Sequence, residues 1–183
     1  MSIESVEEDV VIRLPQVGDA RAIAEVHVRS WQAAYQGLLS AAYLQRLEQG
    51  IERRVAYLEG AIGNGARSIR VAEAGGRLLG WSSFGASRDA DVPPGTGELM
   101  SLYLAPEAWA RGLGSALWRA SRQELEDAGF RAVTAWVLDG NARAIRFYRK
   151  LGLRADAASQ RVFEEDGEPL PLTRFHLSLA ASA

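Results

Sequence analysis

The chain has 183 residues, a formal net charge of −2, 48% hydrophobic and 24% charged residues, a balance that suits one globular unit with one core and excludes a disordered chain. Without a net positive field it has no basis for holding a polynucleotide, so nucleic acid is not an expected partner. Cysteine is absent and histidine occurs twice, which excludes disulfides, cysteine nucleophiles and a histidine-rich metal cage, so no metal is expected.

Residues 1–9 carry Glu4, Glu7, Glu8 and Asp9 and have neither the basic start nor the apolar run of a secretory signal. They read as a tail on a single domain spanning 1–183. No apolar stretch reaches membrane-spanning length, so a cytoplasmic location and no membrane partner are expected. Val10 to Leu14 reads as a strand halted by Pro15, and Gly18 and Asp19 supply turn and helix-start chemistry. Ala24, Val28, Trp31, Tyr35 and Leu38 then form one apolar stripe at helical spacing. Further helices are expected over Ala41 to Leu47 and Ile51 to Ile62, broken by Gly63, Asn64 and Gly65.

Ser68 to Glu73 and Arg77 to Gly85 read as an antiparallel pair, because Gly75 and Gly76 give the shortest hairpin spacing. A polar loop over 88–95 precedes an extended run from Gly97 to Leu104 that stops at Pro106. Gly112 to Ala128 is helical by Leu113, Leu117 and Leu125 and closes at Gly129. Ala132 to Leu138 is a strand, Asn141 to Leu151 a helix, and two last strands flank the acidic turn Glu164 to Gly167. The order of strand, helices, three strands, helix, strand, helix and two strands implies an α/β fold with a mixed sheet covered by helices.

Chemistry concentrates first in Leu102-Tyr103-Leu104-Ala105-Pro106-Glu107-Ala108-Trp109-Ala110-Arg111-Gly112-Leu113-Gly114-Ser115. A strand runs into glycines that open a helix, so unpaired amide N–H groups and the positive end of the helix dipole converge where an anion can sit. A P-loop would need Lys and Ser or Thr after the last glycine, where Ser115 and Ala116 stand. A dinucleotide fingerprint would need glycine or alanine at Leu117. A tight turn with no ligand fits the same Gly-x-Gly.

The second constellation is Asn141-Ala142-Arg143-Ala144-Ile145-Arg146-Phe147-Tyr148-Arg149-Lys150-Leu151-Gly152-Leu153. An Arg-Gly-x-Gly helix start followed one strand later by Asn-x-x-Ala-x-x-Phe-Tyr-x-x-x-Gly resembles the GNAT superfamily of N-acetyltransferases, over Gly97 to Leu153. The resemblance implies a mostly antiparallel central sheet of about seven strands flanked by helices. It also implies acetyl-CoA as cosubstrate and transfer to a primary amine of a small molecule or peptide; a homodimer is allowed. By the same resemblance the strand Leu99 to Leu104, with Leu102, Tyr103 and Leu104, pairs with the pantetheine arm. Amides of Arg111, Gly112, Leu113, Gly114 and Ser115 hold the pyrophosphate, Asn141 contacts the cofactor, and Tyr148 faces its sulfur. The family usually has Gln or Arg where this chain has Trp109.

An alkyl amine of pKa about 10.4 is neutral in roughly one molecule per thousand at pH 7, so a carboxylate would help, and Glu98 at the start of the cofactor strand is the candidate. Tyr148 also fits a core aromatic, Asn141 a helix cap, and Glu98 an exposed strand residue. Trp31 and Tyr35 fall in the region that shapes the family's acceptor pocket, yet sit on a core stripe. His27 and His176 read as structural, and the acidic run from Glu164 to Glu168 as a solvated turn. The rival function is a non-catalytic acyl-CoA-binding sensor.

Overall fold

Gly75 and Gly76 take φ of 57° and 70°, the left-handed pair that a two-residue hairpin turn requires. They join β2 (Ser68–Ala74) to β3 (Arg77–Ala86) in antiparallel register. The computed structural model describes residues 10–179, so the expected tail lies outside the described residues. β1 (Val11–Arg13) pairs with β2, and β4 (Thr96–Leu104) continues the antiparallel run from β3. β5 (Ala132–Leu138) is parallel to β4, while β7 (Glu168–Ser178) lies antiparallel between β5 and β6 (Arg154–Glu165). The result is a seven-stranded sheet in the order β1-β2-β3-β4-β5-β7-β6.

α1 (Ala20–Ala34) and α3 (Ile51–Gly63) pack on one another, with the short α2 (Ala41–Arg46) between them in sequence. The expected stripe through Leu38 overruns α1. The helix is capped at Tyr35, Gly37 turns the chain at φ 80°, and Leu38 stands 39% exposed in the following turn. Hydrophobic spacing does not register a turn whose residues happen to keep the period.

α4 (Leu113–Asp127) covers the other face of β2 to β4, and Gly80 and Gly97 let it come close. A Cβ at Gly80 would meet Leu104 at 2.3 Å, and one at Gly97 would meet Leu125 at 2.9 Å. Thus even-numbered Gly80 and Ser82 of β3 face α4, the latter through a Ser82–Ser121 hydroxyl pair at 2.9 Å. Trp81 and Ser83 face the α1 and α3 side. α5 (Ala142–Lys150) buries Tyr148 in a cluster with Val137, Leu153 and Phe175.

Candidate active site

Parallel pairing of β4 with β5 is confined to Thr96, Glu98 and the residue between them, opposite Ala132 to Thr134. From Leu99 onward the two strands part, and a register shift opposite Ser83 and Phe84 turns β4 further. The β4 edge toward β5 is therefore unpaired over Leu99 to Leu104. A cleft of about 500 Å³ opens there, walled by Leu99 to Leu104, by Trp136 to Leu138, and by the starts of α4 and α5. A strand edge with free N–H and C=O groups is a template for another extended, amide-bearing chain.

At the floor of the cleft, Gly112 caps α4 in the left-handed region at φ 85°, and Ala110 also has a positive φ of 60°. The first helical bond is Ala116 N–H to the Gly112 carbonyl at 3.0 Å. The amides of Leu113, Gly114 and Ser115 thus have no intrahelical acceptor, and no side chain caps them. Gly112, Gly114 and Ser115 line the cleft, whereas the Leu113 side chain is buried beneath the helix and exposed Arg111 forms none of its wall. Gly114 is in contact range of α5, since a Cβ there would meet the Phe147 ring at 3.3 Å.

Trp109 explains how the departure from the family pattern is accommodated. Its Nε1–H donates to the Leu104 carbonyl at 3.2 Å, which fixes the indole, and the Arg143 guanidinium lies 3.3 Å from the ring centroid. The cation absent from position 109 is thus matched by one that α5 delivers and holds flat on an aromatic face. Arg146 and Lys150 line the same wall. Burial, then the neighbouring Arg146 charge, pushes the Arg143 guanidinium below its usual pKa, so an anion between them would relieve a like-charge contact. Sequence reasoning did not single out these residues, although Arg143, Arg146 and Lys150 fall at helical spacing on one face.

Three phenols meet in the cleft: Tyr35 from the end of α1, Tyr103 from β4 and Tyr148 from α5. Burial pushes all three upward in pKa, and Tyr148 is raised further by Tyr103. They remain hydrogen-bond donors across the neutral range. Asn141 lines the cleft while its side chain accepts from Ala144 N–H at 3.1 Å as the α5 cap. Trp31 lies behind this wall, 8% exposed and edge-on to Tyr35 at 5.0 Å, so it supports Tyr35 and does not line the cleft.

Glu98 is not brought to the cleft. It precedes the point where the strands part, is 1% exposed, and its Oε2 accepts from the Arg88 backbone N–H and Nε at 3.0 and 3.2 Å. Its Oε1 accepts from Arg88 Nη2 at 2.5 Å. A carboxylate saturated by a guanidinium fork in the interior holds the loop after β3 and is not positioned to take a proton from an amine. The acidic turn is a hairpin turn, as its composition suggests, yet not a free one. Glu168 accepts from the Ser40 N–H and hydroxyl, each at 2.7 Å, and Asp166 from Arg53 at 3.3 Å, which ties the β6–β7 hairpin to the start of α2 and to α3.

A second cavity, of about 130 Å³, lies on the α1 and α3 side of the sheet and shares Ser101 with the cleft. His27, Arg54, Arg67, Trp81 and Ser83 line it. Both His27 ring nitrogens, Arg54 Nε, Trp81 Nε1 and Ser83 Oγ are buried and have no protein hydrogen-bond partner. Each such group costs about 1–3 kcal/mol if left unsatisfied. Burial, and secondarily Arg54, pushes His27 well below its usual pKa, so the imidazole is neutral. Among the described residues no cluster of His, Asp and Glu suits a metal ion, and no helix is long and apolar enough to cross a membrane.

An unpaired strand edge leading to uncapped helix amides, with cations on the facing helix, fits coenzyme A: the edge for its amide-bearing arm, the amides and cations for its phosphates. These features define a coenzyme A-dependent acyltransferase. The model of the acetyltransferase (GNAT) family matches residues 23–153, and the chain belongs to that family. The uncharacterized N-acetyltransferase YuaI of Bacillus subtilis is 30% identical over 144 residues, covering 76% of this chain and 78% of that one. The L-amino acid N-acyltransferase MnaT of Escherichia coli is 28% identical over 168 residues, covering 92% and 93%. The yncA structure from Salmonella typhimurium, solved with its cofactor acetyl-CoA, superposes with a TM-score of 0.69 at 27% identity, covering 95% of this chain and 96% of that one. The chain is accordingly an N-acetyltransferase with acetyl-CoA as cosubstrate, and the sensor alternative has no support.

Proposed function

We propose that this chain acetylates the primary amine of a small molecule or peptide by direct attack, with the thioester lying along Leu99 to Leu104 and its sulfur near Tyr148. The neutral nitrogen forms a bond to the thioester carbon, the C–S bond breaks with its electron pair going to sulfur, the nitrogen loses its proton to water, and the thiolate takes up a proton in its place. The products are an amide and the free thiol. The observation that carries this reading is the unpaired β4 edge, which runs from the α4 amides to the Tyr148 wall in a single cleft. Relatives named for acylating L-amino acids and methionine sulfoximine support a small acceptor. The reading includes a single catalytic domain acting in the cytoplasm.

A phenol of pKa about 10 is already uphill by about 2 kcal/mol as a proton donor to a thiolate whose acid has a pKa near 8.5. Burial raises Tyr148 further, so its role is to hydrogen-bond the departing sulfur, with proton transfer completed late. Release of free thiol on incubation with acetyl-CoA and a panel of amines tests the reading; acetyl-CoA binding without amine-dependent release across the panel refutes it.

The pH dependence follows from the phenols. A raised pKa keeps Tyr148 and Tyr35 protonated as pH rises, and their donation is lost only above the raised values. kcat/KM is therefore expected to rise about tenfold per unit from pH 7 toward 9 as the amine deprotonates, with no falling limb below about pH 10. A pH–rate profile that falls between pH 8 and 9 would contradict this.

The basic wall gives a separate expectation. Replacing Arg143 and Arg146 together with serine should raise KM for acetyl-CoA about tenfold and flatten its dependence on salt, because exposed charges are screened over about 10 Å at 0.1 M. KM measured between 50 and 500 mM NaCl reads both effects; an unchanged KM would separate this wall from the phosphates.

A further inference from the structure

The cavity beside the cleft presents donors and no acid. Arg54 Nε–H and Trp81 Nε1–H can only donate, Ser83 Oγ–H can donate, and one nitrogen of a neutral His27 must carry a proton. His27 is 7%, Trp81 6% and Ser83 2% exposed, so these are buried groups around a space that the exposed Tyr57 and Arg67 leave open to solvent. The carboxylates that satisfy other arginines lie elsewhere: Glu52 on Arg21, Glu73 and Asp19 on Arg13, Glu98 on Arg88. Arg67 adds a second guanidinium to the lining. Glu165 lies near enough for Arg54 to lower its pKa, yet no carboxylate hydrogen-bonds to these buried donors, and a convergent set of donors left so suits a small accepting group such as a carboxylate.

The position of the cavity says which molecule the carboxylate belongs to. β4 passes between the two spaces. Ser101 lines both, and Tyr103, two residues on and on the same face, is edge-on to His27 at 4.8 Å while its phenol reaches the cleft. A molecule with its carboxylate among Arg54, Trp81 and Ser83 and a short link past Ser101 would put a second group in the cleft of Tyr35, Tyr103 and Tyr148. At about 130 Å³ the cavity has room for several waters, or for a carboxylate and its α-carbon.

We propose that the acceptor is a free amino acid whose carboxylate is bound in the His27–Arg54–Trp81–Ser83 cavity, so that this cavity selects amino acids over amides, polyamines and peptide N-termini that extend through their carboxyl end. This rests on the N-acetyl transfer proposed above. It narrows the acceptor class by a feature remote from the Leu99 to Leu104 edge, and it gives the buried donors of α1, α3 and β3 a ligand.

The test compares L-amino acids with apolar, polar and charged side chains, each against its own α-carboxamide, in thiol-release assays at saturating acetyl-CoA. For the side chains that are turned over, the free acid is expected to exceed its amide in kcat/KM by about tenfold or more, mainly through KM. Arg54→Gln should reduce that ratio to about one without altering KM for acetyl-CoA. Trp81→Phe, which removes only the indole donor, should lower the ratio by a smaller factor and covers the case in which Arg54→Gln does not fold. Amides turned over as well as acids, or a ratio unaffected in both variants, would overturn the proposal. Should no amine be acetylated, the transfer reading itself fails. The cavity is then read by calorimetric titration of the same amino acids into the protein saturated with coenzyme A, where heat with acids and none with amides upholds carboxylate binding, and no heat with either refutes it.

Discussion

Tyr148→Phe is expected to lower kcat about 100-fold while leaving the dissociation constant of acetyl-CoA within about twofold of its original value. The ring packs with Phe147 at 5.3 Å and Phe175 at 6.2 Å between centroids, and phenylalanine keeps that packing, so only the hydroxyl is removed. A donor aimed at charge that develops in the transition state is worth about 2.7–4 kcal/mol in a water-poor site, and does little for a neutral ground-state thioester. The loss should therefore appear in kcat and be absent from binding, and the thermal midpoint should move by no more than about 2 °C. Single-turnover rates with calorimetric affinities make the comparison. An unchanged rate under chemistry-limited conditions would remove Tyr148 from the transfer and leave it a core aromatic.

Local chemistry made much of the fold legible. The Gly75–Gly76 hairpin, the strand Ala132 to Leu138 and the helix closing before Gly129 each depend on a turn glycine or a short apolar run, and each falls within a residue or two of its expected bounds. The α1 overrun at Leu38 shows the opposite case, in which a hydrophobic residue keeps helical spacing across a turn at Gly37. Spacing reports which residues want burial; it does not report whether the chain between them remains helical.

The site was legible in its backbone and less so in its side chains. A glycine helix start after a strand specifies where amides point, because the geometry is local. What Glu98 faces depends on where β4 leaves β5, and that parting is a property of the whole sheet, so a carboxylate one residue short of it reads in sequence like one inside the cleft. Trp109 and Arg143 are 34 positions apart in sequence and meet only when α5 docks beside α4. His27 is a similar case: its isolation in sequence suggests a packed core residue, whereas folding gathers it with Trp81, Ser83 and Arg54 around a shared space. Residues that meet only through tertiary packing are the ones sequence leaves unread, and those set by local turns are the ones it shows.

Gly112→Val is expected to weaken acetyl-CoA about 50-fold, whereas Gly112→Asn should stay within about threefold of the original affinity. Space is not the issue, since a Cβ at Gly112 would meet nothing within 4 Å. The backbone is the issue. At φ 85° a β-branched residue is strained by about 1–3 kcal/mol, and the chain can relieve this only by rotating out of the left-handed region. That rotation swings the Gly112–Leu113 peptide and, with it, the first amides of α4 away from the point where they converge. Asparagine tolerates left-handed geometry and leaves the amides in place. Calorimetry with acetyl-CoA distinguishes the two variants, and the contrast with Tyr148→Phe should be complete: affinity lost at Gly112 with rate at saturation largely kept, rate lost at Tyr148 with affinity kept. Equal weakening by valine and asparagine would show that the side chain itself obstructs the ligand, and an affinity unchanged from the original in both would show that the diphosphate is held by something other than the start of this helix.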